Sequence, residues 1–127
     1  MKFEHFALNV ADARAHGNWY VENLGFKMVR HIDESPFRRF LADETGRVVI
    51  ELYTDARAGI PNYAAAHPLI FHFAVVSTDA LADRRRLETA GATHVAPDEP
   101  QADSTRLIMM RDPWGVALQL CQRANPF

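Results

Sequence analysis

The chain states one pattern twice. His5-Phe6-Ala7-Leu8-Asn9-Val10-Ala11-Asp12-Ala13 returns as His72-Phe73-Ala74-Val75-Val76-Ser77-Thr78-Asp79-Ala80, an offset of 67. Val49-Ile50-Glu51-Leu52 matches Ala117-Leu118-Gln119-Leu120 at an offset of 68. Asn23-Leu24-Gly25-Phe26 has a looser echo in Thr89-Ala90-Gly91-Ala92. Self-similarity at a nearly fixed period means one supersecondary unit used twice. The expected organisation is a first module over 1–54, a linker over 55–68 carrying Gly59, Pro61, Asn62 and Pro68, and a second module over 69–123.

Each module reads as strand, helix, then about three strands. Apolar runs rich in Phe, Val, Leu and Ile predict opening strands over 3–10 and 69–76. Asp12 and Asp79 follow as N-cap residues, and helices are expected over 13–23 and 80–90, ending at Gly25 and Gly91. Turns are expected at Asp43-Glu44-Thr45-Gly46 and Asp112-Pro113-Trp114-Gly115, with a loop or edge over 97–103.

Composition narrows the function classes. Of 127 residues, 14 are Lys or Arg and 16 are Asp or Glu, a net charge of −2 that gives no overall case for nucleic-acid or anionic-membrane binding. No stretch approaches the roughly 18 consecutive apolar residues that span a bilayer, so a membrane partner is not expected. Cys121 is the single cysteine, which excludes an internal disulfide and a thiolate zinc cluster, and a reducing cytosol is the simplest compartment. Arg84-Arg85-Arg86 reads as a solvated helix face.

Side chains alternate across a strand, so position parity assigns a face. Phe6, Leu8 and Val10 oppose His5, Ala7 and Asn9; Val48, Ile50 and Leu52 oppose Val49, Glu51 and Tyr53. In the second module, Phe71, Phe73 and Val75 oppose His72 and Ala74, and Val116, Leu118 and Leu120 oppose Ala117, Gln119 and Cys121. One face is bulky and apolar each time; the other carries a single polar residue at the module-equivalent position. His5, Glu51, His72 and Gln119 are therefore the expected first shell of a divalent ion, whether zinc, nickel, cobalt, manganese or ferrous iron. A strand histidine taken alone is more often hydrogen-bonded than ligating, and a metal-free polar pocket is the competing reading. Tyr53, Cys121 and Trp114 are the expected substrate-pocket residues. For Arg38, Arg39, Arg106 and Arg111 a solvated position is the simpler expectation, and His16, His31, His67 and His94 receive no role.

The sequence resembles the vicinal oxygen chelate superfamily, the glyoxalase, bleomycin-resistance and extradiol-dioxygenase group. The resemblance covers almost the whole chain. It rests on His5, Trp19-Tyr20, Leu24-Gly25-Phe26, Ile50-Glu51-Leu52, His72-Phe73-Ala74-Val75, Asp112-Pro113-Trp114-Gly115 and Leu118-Gln119-Leu120. It implies an α+β fold in which two βαβββ modules in tandem form an open, cup-shaped mixed sheet with helices on the convex side. A metal in the cup, a small-molecule substrate and a homodimer are also implied.

One position departs from the pattern. Many members carry a glutamate on the last strand, implicated in glyoxalase I as the proton-shuttling base, where this chain has Gln119. An amide oxygen can ligate but cannot accept a proton at neutral pH. Glu51 is then the only carboxylate of the set and the expected catalytic base. The leading expectation is an isomerase or lyase whose ion chelates vicinal oxygens and stabilises an enolate-like state. A metal-free binding protein of the bleomycin-resistance type and an extradiol-type dioxygenase are the alternatives.

Overall fold

Two compact units, Met1–Pro61 and Asn62–Phe127, divide the chain in the computed structural model, which describes residues 1–95, 97–98, 101 and 103–126. The first contains β1 (Phe6–Asn9), α1 (Ala13–Leu24), β2 (Lys27–His31), β3 (Arg39–Ala42) and β4 (Val48–Tyr53). The second repeats the order with β5 (Phe73–Val76), α2 (Ala80–Thr89), β6 (Thr93–His94), β7 (Arg106–Arg111) and β8 (Ala117–Gln122). Both are mixed four-stranded sheets with the same topology, β1-β4-β3-β2 and β5-β8-β7-β6. The opening strand runs parallel to the last strand in each, and the other pairings are antiparallel. This is the expected α+β class of tandem βαβββ modules.

The helices form where the caps predict. Asp12 accepts from the amides of Arg14 and Ala15 at 3.0 Å, and α1 ends at Gly25 in the left-handed region, φ 74°. Asp79 accepts from Ala82 N at 3.0 Å, and α2 ends at Ala90 followed by Gly91 at φ 95°. These side chains satisfy amide groups that the first helical turn leaves unpaired. α1 packs on β2, β3 and β4 through Ala13, His16, Gly17 and Tyr20, and α2 packs on β6, β7 and β8 through Ala80 and Leu87. Gly17 permits that approach, since a Cβ there would stand 3.1 Å from Met28 Cε and 3.4 Å from Arg39 Cβ.

Both opening strands are shorter than the apolar runs that foretell them. β5 begins at Phe73, paired with Leu118, and β8 itself starts only at Ala117. Val116 already accepts from Asp112 N at 3.0 Å in the turn before β8, so residues 69–71 have no ladder to join. β1 likewise starts at Phe6, opposite Ile50. His5 and His72 thus sit one residue before their strands. In the expected loop over 97–103, residues 99, 100 and 102 lie outside the described residues.

Within each unit a buried or half-buried polar side chain holds part of the linker. In the first, Asn9 Nδ2 donates to Asp55 O at 2.8 Å and Gly59 O at 2.7 Å, while its Oδ1 accepts from Asp55 N at 2.8 Å. In the second, Arg111 donates to the carbonyls of Tyr63 (2.9 Å), Ala66 (2.6 Å) and Gly115 (2.9 Å). Arg39 differs from its expected solvated position: only 5% exposed, it donates to Ile32 O, Phe37 O and Arg38 O and pairs with Asp33. Each of these groups is satisfied by backbone carbonyls, which is what a buried guanidinium requires.

Candidate functional site

Parallel pairing of β1 with β4 sets Ala7 opposite Glu51, and that of β5 with β8 sets Ala74 opposite Gln119. Because parity repeats every second residue, His5 and His72 share the faces of Glu51 and Gln119 respectively. The register reproduces, strand for strand, the equivalence that the sequence repeat implies.

In the first unit His5 and Glu51 meet. His5 Nε2 lies 3.1 Å from Glu51 Oε2, with the Glu51 side chain 14% exposed. His5 Nδ1 contacts the Glu4 carboxylate, and Phe40, the β3 neighbour of Glu51, presents its ring edge-on to the imidazole at 6.1 Å. Glu51 Oε1 forms an ion pair with Arg38, whose Nε lies 3.2 Å away. When Nδ1 carries the proton for Glu4, Nε2 and Oε2 are two neighbouring atoms that each bear a lone pair. A separation of 3.1 Å then needs a proton or a cation to reconcile them. It is also close to the roughly 3.0 Å between adjacent ligands of an octahedral ion with bonds near 2.1 Å. The donor pair therefore fits a divalent metal.

In the second unit His72 is prepared in the same way. Its Nδ1 lies 2.9 Å from Pro68 O. A carbonyl can only accept, so Nδ1 is the donor and Nε2 of the neutral ring keeps its lone pair outward. A ring fixed through Nδ1 on a carbonyl is the usual support for a metal-binding imidazole. Gln119 Oε1 receives the Cys121 thiol at 3.4 Å, which leaves its second lone pair available.

Gln119 also borders a cavity of about 310 Å³ within the second unit, walled by Pro68, Leu69, Val95, Leu107 and Met109 with His67 and Asp98 among its polar lining. Trp114 and Cys121, expected at a pocket, do not line it: Trp114 is half-buried in the β7–β8 turn and Cys121 is buried in β8. Tyr53 is half-buried in β4 opposite Asn9. Within neither unit do three or more His, Cys, Asp or Glu side chains gather as a metal cluster, among the described residues. Arg38 is exposed, as expected, and its contact with Glu51 was not foreseen. The signal for it was available, since Arg38 shares parity with Phe40, whose β4 partner is Glu51.

The profile of the Glyoxalase/Bleomycin resistance protein/Dioxygenase superfamily matches residues 2–120. The chain belongs to this superfamily. No curated protein matches the chain significantly. Among solved structures, glyoxalase I from Zea mays is similar at a TM-score of 0.74 and 23% identity, over 98% of this chain and 45% of that one, so this chain spans about half its length. TnmS3, an antibiotic binding protein from Streptomyces sp. CB03234, is similar at 0.68 and 20% identity over 98% and 97% of the two chains. A glyoxalase family protein from Enterococcus faecalis is similar at 0.68 and 20% identity, over 94% and 96%. At these identities the likeness to members of the superfamily concerns the fold. No helix among the described residues is long and apolar enough to cross a membrane.

Proposed function

We propose that this superfamily member is a metal-dependent enzyme of the isomerase or lyase type, with a small-molecule substrate. His5, Glu51, His72 and Gln119 would hold one divalent ion, zinc, nickel, cobalt, manganese or ferrous iron. The observation that carries the reading is the His5–Glu51 pair, two lone-pair donors 3.1 Å apart on a half-buried face. His72, with its Nδ1 on Pro68 O at 2.9 Å, adds an imidazole of the right tautomer from the equivalent position.

When bound, a divalent ion polarises two adjacent substrate oxygens and stabilises enolate-like charge on them. The chain's own groups divide the remaining work. Gln119 contributes an oxygen without charge and takes no proton. Glu51 is the group able to accept one, at Oε2, and is the catalytic base. His5 and His72 bind through Nε2 with their Nδ1 atoms held by Glu4 and Pro68. The protein acts as a homodimer in the cytosol on this reading.

Elemental analysis of protein purified without a histidine tag tests the proposal. About one divalent ion per chain, with melting raised by added metal, supports it. Metal-free protein whose melting ignores all five ions sinks it.

A second reading has its own support. The cavity beside Gln119 is largely apolar, and the chain is similar over its whole length to an antibiotic binding protein. A metal-free binder of a planar apolar compound is the result. Stabilisation by such a compound that persists in chelator separates it from the enzyme.

A further inference from the structure

The two modules are not symmetric around their polar residues. The β3–β4 register pairs Phe40 with Glu51, and the β7–β8 register pairs Met109 with Gln119. Two residues earlier on the same faces stand Arg38 and Leu107. The module with the carboxylate carries a guanidinium beside it; the module with the neutral amide carries a leucine that lines the apolar cavity.

Arg38 is held by a loop whose backbone is fixed at many points. Ile32 N donates to Arg38 O at 2.9 Å, and Arg39 Nη1 donates to the same carbonyl at 2.9 Å and to Ile32 O at 2.7 Å. Phe37 N donates to Glu34 O and Thr54 N to Pro36 O, both at 2.7 Å. Phe37 itself takes φ 56°, a conformation that costs a non-glycine residue energy and persists only where its surroundings impose it. Its ring lies under the Arg14 guanidinium at 4.8 Å. The result is that Arg38 reaches Glu51 from an anchored backbone, with Nε 3.2 Å from Oε1.

We infer that Arg38 is a positioning residue that biases Glu51 toward binding an ion through Oε2. The inference rests on the metal reading above. Oε1 is engaged by Arg38 and Oε2 alone faces His5. Two physical effects then act in the same direction. A carboxylate oxygen paired with a guanidinium is the poorer ligand of the two, and a positive charge beside the donor opposes a second positive charge at the ion. Arg38 would therefore weaken the hold of Glu51 on an ion. A Glu51 that detaches easily is also one that is free to take a proton.

Calorimetric titration with Ni²⁺ alone tests this on the full chain and on Arg38→Leu and Arg38→Lys. The leucine variant, which installs what the second module carries, is expected to bind Ni²⁺ at least tenfold more tightly. The lysine variant keeps the charge on a different stem and falls between. In Co²⁺-loaded protein the leucine change should weaken the visible absorption, as a second carboxylate oxygen raises the coordination number. All three proteins should melt together, because the loop is held by Arg39 and not by the half-exposed Arg38 side chain. Wild type that binds Ni²⁺ with a leucine variant that binds equally or more weakly overturns the role of Arg38 alone. Failure of wild type and both variants to bind any of the five ions overturns it together with the metal reading.

Discussion

His5 Nε2 and Glu51 Oε2 face each other across 3.1 Å, although 46 positions separate them in the chain. Parallel pairing of β1 with β4 makes that contact, and the same pairing of β5 with β8 sets Gln119 where Glu51 stands in the first module. At that position the first module carries a carboxylate and the second an amide.

Restoring that carboxylate is the simplest intervention. Gln119→Glu places a charged donor where an amide stands, and on the metal reading affinity should rise by about tenfold or more. Calorimetry on the variant and the parent measures it; equal affinities would place Gln119 outside the ligand set.

Arg39 is structural. Its replacement by alanine removes a buried guanidinium and strands the carbonyls of Ile32, Phe37 and Arg38. Loss of charged hydrogen bonds of this kind costs about 2–4 kcal/mol. Urea unfolding reads this directly, and a cost below about 1 kcal/mol would mean that water replaces the guanidinium.

Two glycines with positive φ should behave differently. Gly25→Ala meets nothing within 4 Å, so only the left-handed backbone at φ 74° opposes it, a cost of about 1 kcal/mol. Gly115→Ala combines φ 88° with a Cβ 2.7 Å from Ala64 Cβ and 2.8 Å from Ala64 N. A backbone collision cannot be relieved by a rotamer, and about 3 kcal/mol or more is expected. Thermal melts of the pair check the ranking.

Cys121 is buried, and desolvation raises its thiol pKa above the usual value, against a smaller opposing effect of Arg123. A raised folded pKa means that the stability the neutral thiol contributes is complete below the unfolded pKa of about 8.5 and is lost as pH climbs through the folded value. Ellman's reagent should leave native protein unreacted at pH 8 and titrate one thiol after denaturation. Rapid native labelling would contradict this.

The sequence made the repeat, the caps and the alternating faces legible because each is a local signal with a short period. Asp12, Asp79 and Gly25 fall where their chemistry demands. Strand starts were overextended at residues 3–5 and 69–72, since apolar composition marks a strand's capacity but a partner's length sets its end. Arg39 and Arg111 carry no local mark of burial: an arginine is enclosed only when distant carbonyls converge on it. Of the candidate site, the His5–Glu51 contact followed from parity and the repeat, whereas Arg38 required the β3–β4 register.

The proposed metal donors are His5, Glu51, His72 and Gln119. Ni²⁺ calorimetry on the parent chain, His5→Ala, Glu51→Gln and His72→Ala tests that set most directly. The account predicts one ion per chain in the parent and at least a hundredfold weaker binding in each variant, the His72 change included. A stoichiometric ion whose affinity ignores His72→Ala, or a parent chain that takes up no ion at all, would contradict it.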